Sequence, residues 1–127
     1  MAGFATKEEL YQVLDKTVSA LQANEAFARR IANTRASMGI VVPEVQGDYA
    51  LRFEQGVVTG VVGGAAAATI SVTATGDVLD RLFSGKLDAE SAYMYGHVQL
   101  RGDEWVAEGM VGYLWDLRAA YASARGT

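Results

Sequence analysis

Two periods of hydrophobic patterning divide this chain, one helical and one extended, and the first gives way to the second about a third of the way along. Leu10, Leu14, Val18 and Leu21 recur at helical spacing. Thr6, with Glu9 three residues later, forms a capping box ahead of them. Asn24 is placed to cap a second helix carrying Phe27 and Ile31 one turn apart. Gly39 is expected to close this helical region.

Beyond it the period becomes two. Residues 40–45 are β-branched and include Pro43, the only proline, which predicts an edge strand because proline cannot donate to a ladder. A turn over 46–48 leads into a strand where Tyr49, Leu51 and Phe53 alternate with Ala50, Arg52 and Glu54. Residues 57–62 read as the next strand, with Gly63-Gly64 as a hairpin turn. The alternation is cleanest over 68–75, where Ala68, Ile70, Val72 and Ala74 face away from the threonines and Ser71. Thr75 or Asp77 caps a short helix presenting Val78, Leu79, Leu82 and Phe83, and Gly85 stops it. A further helical turn over 88–94 ends at Gly96, and 96–101 reads as the last strand. Residues 104–124 read as one final helix, weakened by Gly109 and Gly112 at about 1 kcal/mol each. Strands clustered between helices predict an α+β domain: a five-stranded, mainly antiparallel sheet covered by about five helices.

The length of 127 residues fits one domain spanning 1–127. The formal net charge of −4, without a basic face, argues against nucleic-acid binding. The chain has no cysteine, which removes disulfides, thiolate metal sites and a thiol nucleophile. Residues 1–9 lack the pattern of a secretory leader, and the terminal Ala-Arg-Gly-Thr is not a peroxisomal address, so the cytoplasm is the expected compartment. The uncharged stretch 55–76 is long enough to cross a bilayer, but it is mostly Gly, Ala, Thr and Val and half of it alternates as a strand. Integral membrane insertion is not expected.

One segment carries a family resemblance. Residues 84–103 read Ser-Gly-Lys-Leu-Asp-Ala-Glu-Ser-Ala-Tyr-Met-Tyr-Gly-His-Val-Gln-Leu-Arg-Gly-Asp. This resembles the signature of the sterol carrier protein type 2 family: Gly-Lys-Leu-Asp-Pro, then Ala-aromatic-Met, then Gly-Lys-Leu-Lys-Val-x-Gly-Asp. Gly85, Lys86, Leu87, Asp88, Ala92, Met94, Gly96, Gly102 and Asp103 match, and the strand over 69–75 running into Asp77-Val78-Leu79 matches the family's strand-to-helix step. Ala89 departs from the usual proline, and His97 from the usual lysine. The resemblance implies a cavity for a hydrophobic small molecule or lipid, which periodicity alone does not show.

Candidate ligand contacts are the positions expected to face inward: Leu51, Phe53, Ile70, Val72, Leu82, Phe83, Met94, Val98, Met110 and Leu114. No cofactor is expected. No metal is expected either, since His97 is the only histidine and no carboxylate cluster accompanies it. The leading reading is reversible binding of a sterol-like, fatty acyl or isoprenoid molecule, presented to a partner enzyme. One rival is a small isomerase or cyclase with His97 as acid–base group beside Tyr93 or Tyr95. Another is a ligand-free interaction subunit docking through Trp105 and Trp115. The apolar residues spread around the last helix leave a homodimer interface open as well.

Overall fold

The structure is a computed structural model, and it describes residues 3–126. Met1, Ala2 and Thr127, which enter the readings of the two chain ends, lie outside the described residues. Helix α1 (Lys7–Gln22) opens on Thr6, whose side chain accepts the Glu9 N–H at 3.1 Å. Helix α2 (Glu25–Arg30) opens on Asn24 in the same way.

Strand β1 (Arg35–Val42) follows, then a single 3-10 turn at Pro43–Val45 and strand β2 (Gly47–Glu54). Strand β3 (Val57–Val62) leads through a short Ala65–Ala67 turn to strand β4 (Ile70–Thr73). Helices α3 (Gly76–Phe83) and α4 (Ala89–Met94) come next, capped by Thr75 and Asp88. Strand β5 (Gln99–Gly102) and helices α5 (Glu104–Val111) and α6 (Leu114–Ala124) complete the chain.

The strands form one sheet in the order β3-β2-β1-β4-β5. Three pairs are antiparallel and β1–β4 is parallel, so the sheet is mixed, mostly antiparallel, and the α+β class stands with six α-helices among the described residues.

Four expectations are corrected here. Gly39 does not end the helices but sits in the middle of β1. A Cβ there would come within 3 Å of Ala65 and of the Ser71 Cβ, so glycine answers a close crossing of the chain. Second, the strand before Pro43 is the central strand, not an edge, because Pro43 falls after its last ladder residue. Third, Gly63-Gly64 does not join a hairpin: β3 and β4 are separated by β2 and β1, and the chain between them crosses the sheet. Fourth, the final helix is broken at Gly112 and Tyr113 into α5 and α6.

That crossing places a strap over one sheet face. Ala50, Gly39, Ser71 and Arg101 lie side by side on neighbouring strands by register. Ala65 rests on this row, its N–H donating to Asp48 Oδ1 at 2.9 Å and its carbonyl accepting from Arg101 at 3.0 Å. Tyr49, Leu51, Phe53, Ile40, Met38 and Ile70 point to the other face, where the helices cover them. All are buried.

Candidate functional site

The helix-covered face is the candidate site, and its walls come from every part of the chain. From the sheet, Leu51 and Phe53 are fully buried, and Ile70 nearly so. Leu82 and Phe83 arrive from α3. Met110 is the one buried residue of α5, and Leu114 of α6 packs partly against it and its neighbours. These seven of the ten expected contacts share one cluster with α1 residues Leu10, Leu14 and Leu21.

The remaining three fall elsewhere. Val98 belongs to a small satellite cluster with Ala74 and Ala92, and Val72 is half-buried against it. Met94 is corrected outright: it does not face inward but is 71% exposed. Helix α4 is less than two turns long and buries only Ala92, and a residue two positions further on lies on nearly the opposite side of a helix. Gly96, at φ +76°, then turns the chain away.

Sequence reasoning missed the aromatic group under the α5–α6 break. Phe27, Phe53 and Tyr113 form a triangle with ring centroids 5.6–5.9 Å apart. Tyr113 sits at the break itself, and its hydroxyl lies 2.9 Å from Thr34 Oγ1. Phe27 and Ile31 were legible as an apolar helix face, but their convergence with Tyr113 is a long-range event that no local spacing announces. The Arg30–Asp116 ion pair ties α2 to α6 beside this group.

Two tyrosine–carboxylate bonds close the face at its far sides. The Tyr49 hydroxyl donates to Asp15 of α1 at 2.6 Å, and Tyr121 of α6 donates to Asp80 of α3 at 2.5 Å. Burial first, and then the bonded carboxylate, push both phenols above the ordinary tyrosine value. Each hydroxyl thus stays a donor across the neutral range and locks a helix in place.

Helix α5 contrasts with these anchors. It carries Trp105, 82% exposed, and Val111, 56% exposed, and Trp115 at the start of α6 is 80% exposed. Its charged residues are Glu104 and Glu108. His97 is exposed too, with its ring 6.5 Å from that of Tyr95 and apart from the inner face. Two open hollows lie on the opposite, strap-bearing face, the larger about 410 Å³ and lined by Asp48, Ser71, Thr73 and Arg101 among others. The lining of the larger is mixed, with Val41, Ala65 and Ala66 beside those polar and charged side chains. Among the described residues no helix is long and apolar enough to cross a membrane, and no group of three or more His, Cys, Asp or Glu is placed to hold a metal.

Residues 16–114 match the SCP-2 sterol transfer family. The chain belongs to this family. Solved structures agree on the fold. A conserved hypothetical protein from Thermus thermophilus superposes with a TM-score of 0.69 at 18% identity, covering 98% of this chain and 92% of that one. The sterol carrier protein domain 2 of Helicoverpa armigera gives 0.68 at 18% identity, over 94% and 95%. The stereoselective inverting sec-alkylsulfatase from Pseudomonas sp. gives 0.58 at 27% identity, over 71% of this chain and 14% of that one. The present chain therefore spans a small part of that enzyme's length. A search of curated proteins found no match. In this SCP-2 family domain, Phe27, Phe53 and Met110 share one buried cluster, against which Tyr113 packs at the α5–α6 break.

Proposed function

We propose that this SCP-2 family domain binds an apolar molecule reversibly between its inner sheet face and the α5–α6 segment. The molecule is a fatty acyl chain, a sterol-like polycycle or an isoprenoid, and the domain presents it to a partner enzyme. The observation that carries this reading is α5: an apolar helix that buries only Met110, in the core cluster that also holds Phe27 and Phe53. Its surplus apolar surface has no use in the closed fold, and a ligand beneath it gives that surface something to cover. Burial would drive binding at about 25 cal/mol per Å² of apolar area, less the cost of ordering ligand and helix. The family match supports the lipid class. The likeness to part of a sec-alkylsulfatase supports an alkyl chain as one ligand and an enzyme as the partner.

A second reading keeps the exposed pair Trp105 and Trp115 as a docking surface with no ligand beneath. Mass spectrometry of freshly purified protein, native and then denatured, separates the two. A discrete apolar molecule released only on denaturation is the expected result. A protein that emerges empty and also ignores added acyl chains and sterols would overturn the binding reading in favour of docking. The enzyme alternative has lost its strongest residue as an interior group, because His97 lies outside the buried face. It predicts turnover that His97→Ala abolishes.

A further inference from the structure

The sheet has two edges, and they are built differently. Strand β5 is four residues long, carries Arg101 and ends at Gly102 with φ +114°. Such an edge is short, charged and twisted away. Strand β3 is six residues long, with unbroken register from Glu54–Val57 to Tyr49–Val62. It holds no proline, and the sequence from Gln55 to Gly76 contains no charge. Natural sheets ordinarily protect an exposed edge with lysine, proline or a bulge. This one has none of the three, and its Val57 and Val62 are 56% and 58% exposed.

We propose that β3 pairs antiparallel with β3 of a second copy of this chain, making one continuous ten-stranded sheet. The hydrogen-bond phase of the ladder supports this. The Gly63 N–H donates to the Asp48 carbonyl at 2.7 Å, which directs the odd-numbered residues of β3 toward β2. Val58, Gly60 and Val62 therefore turn their backbone groups to the open edge. The Val58 carbonyl is indeed met there by the Gln22 side-chain amide at 2.8 Å.

A twofold axis perpendicular to the sheet must pair residues of like face, and Gly60 against Gly60 satisfies that. Gly60 then exchanges both backbone bonds with its counterpart. The Val58 N–H donates to the Val62 carbonyl across the axis, leaving Gln22 in place. The side chains of Val58 and Val62 meet on the inner face, extending the apolar layer of one copy into that of the other. This pairing is isologous, the arrangement that closes at two.

Charge selects the same edge. Each chain carries −4, so two copies repel except where neither presents a charge. The uncharged stretch holds β3 itself. Two carboxylates flank the strand, and both have partners: Glu54 pairs with Arg35 and Arg52 at 3.6 and 3.3 Å, and Asp15 of α1, near Gly60, accepts from the Tyr49 hydroxyl at 2.6 Å.

Sedimentation equilibrium of the full chain over a concentration series tests the proposal. A reversible monomer–dimer equilibrium that strengthens with added salt is expected. Val62→Glu, at an exposed position, should weaken it by about tenfold or more, because a carboxylate would be desolvated against Val58. Joint Trp105→Ala and Trp115→Ala substitution should leave it unchanged. Amide exchange of the unmodified chain supplies a second readout: Val58 and Gly60 should gain protection as concentration rises. A monomer at every concentration, a dimer lost with the tryptophans but indifferent to Val62→Glu, or growth beyond two copies would each overturn the proposal.

Discussion

Helices α1 and α5 are both rich in apolar residues, yet they use them in opposite ways. Helix α1 buries Leu10, Val13, Leu14, Thr17, Val18 and Leu21, and keeps its charged residues on the other side. Helix α5 is only half as long and buries Met110 alone, while Trp105 and Val111 face solvent. A helix held by six buried side chains is structural in any state of the protein. One that buries only Met110, with Val106 and Ala107 partly buried beside it, is held by less apolar surface, and it is the helix that the proposed function has yield to a ligand. In the function proposed above, that contrast makes α5 the part of this domain that opens.

The most damaging substitution falls on the first member of the pair. Leu14→Ala should cost about 2–5 kcal/mol, the range for a fully buried leucine whose neighbours cannot collapse into the gap. Val111→Ala, on the exposed side of α5, should stay within about 0.5 kcal/mol. Denaturant melts of the two variants check this, and comparable losses would show α5 to be as integral as α1.

Next in size is the anchor of α6. Tyr121→Phe removes a hydroxyl bonded to the Asp80 carboxylate and should cost about 1–3 kcal/mol at neutral pH. The folded phenol is held above its ordinary value, so it keeps its proton to higher pH than in the unfolded chain. Its contribution is complete below about pH 10, where free tyrosine begins to ionise, and is lost as pH climbs past that point. Stability measured against pH should therefore show the gap between parent and variant narrowing under alkaline conditions. A gap that is constant with pH would mean that the hydroxyl bond is not what holds α6.

The mildest change concerns the other member. Gly109 has open space where a Cβ would project, and Gly112 meets only the Gly109 carbonyl, at 3.4 Å. Replacing both by alanine should stabilise α5 by about 1 kcal/mol. If the helix yields to admit an apolar molecule, release of a bound fluorescent acyl probe, followed by stopped flow, should slow in the double variant. Unchanged release with improved stability would show that α5 does not gate the face.

Much of this fold was legible locally. The caps at Thr6 and Asn24, and at Thr75 of the pair Thr75 or Asp77, each accept the backbone bond that their position in the sequence anticipated. Those bonds close within three residues, so local spacing contains them. The alternation of Tyr49, Leu51 and Phe53 likewise identified an inward face, and all three are fully buried. What failed was non-local. Whether Pro43 stands at an edge depends on which strand later takes the far side of β1, and β4 begins nearly thirty residues on. The role of Gly39 depends on Ala65 arriving above it. Met94 was drawn inward by a motif match, while the short α4 had room to bury only Ala92. The aromatic triangle of Phe27, Phe53 and Tyr113 was hidden for the same reason as the strap: its members come from distant parts of the chain.

The strap also has a consequence for the order of assembly. Strands β1, β2 and β3 form a meander whose pairings close short loops, whereas joining β4 to β1 closes one of about thirty residues and pays more chain entropy. The seat of Ala65 consists of Gly39 and Ser71 with Ala50 beside them, so it is complete only once β4 has docked on a finished meander. Asp48 and Arg101 then clasp the strap from strands on opposite sides of that seam. The late parallel seam is thus latched by the same residues that cross it. Enlarging Gly39 by a single methyl would leave the early meander able to form while denying the second half of the domain its place.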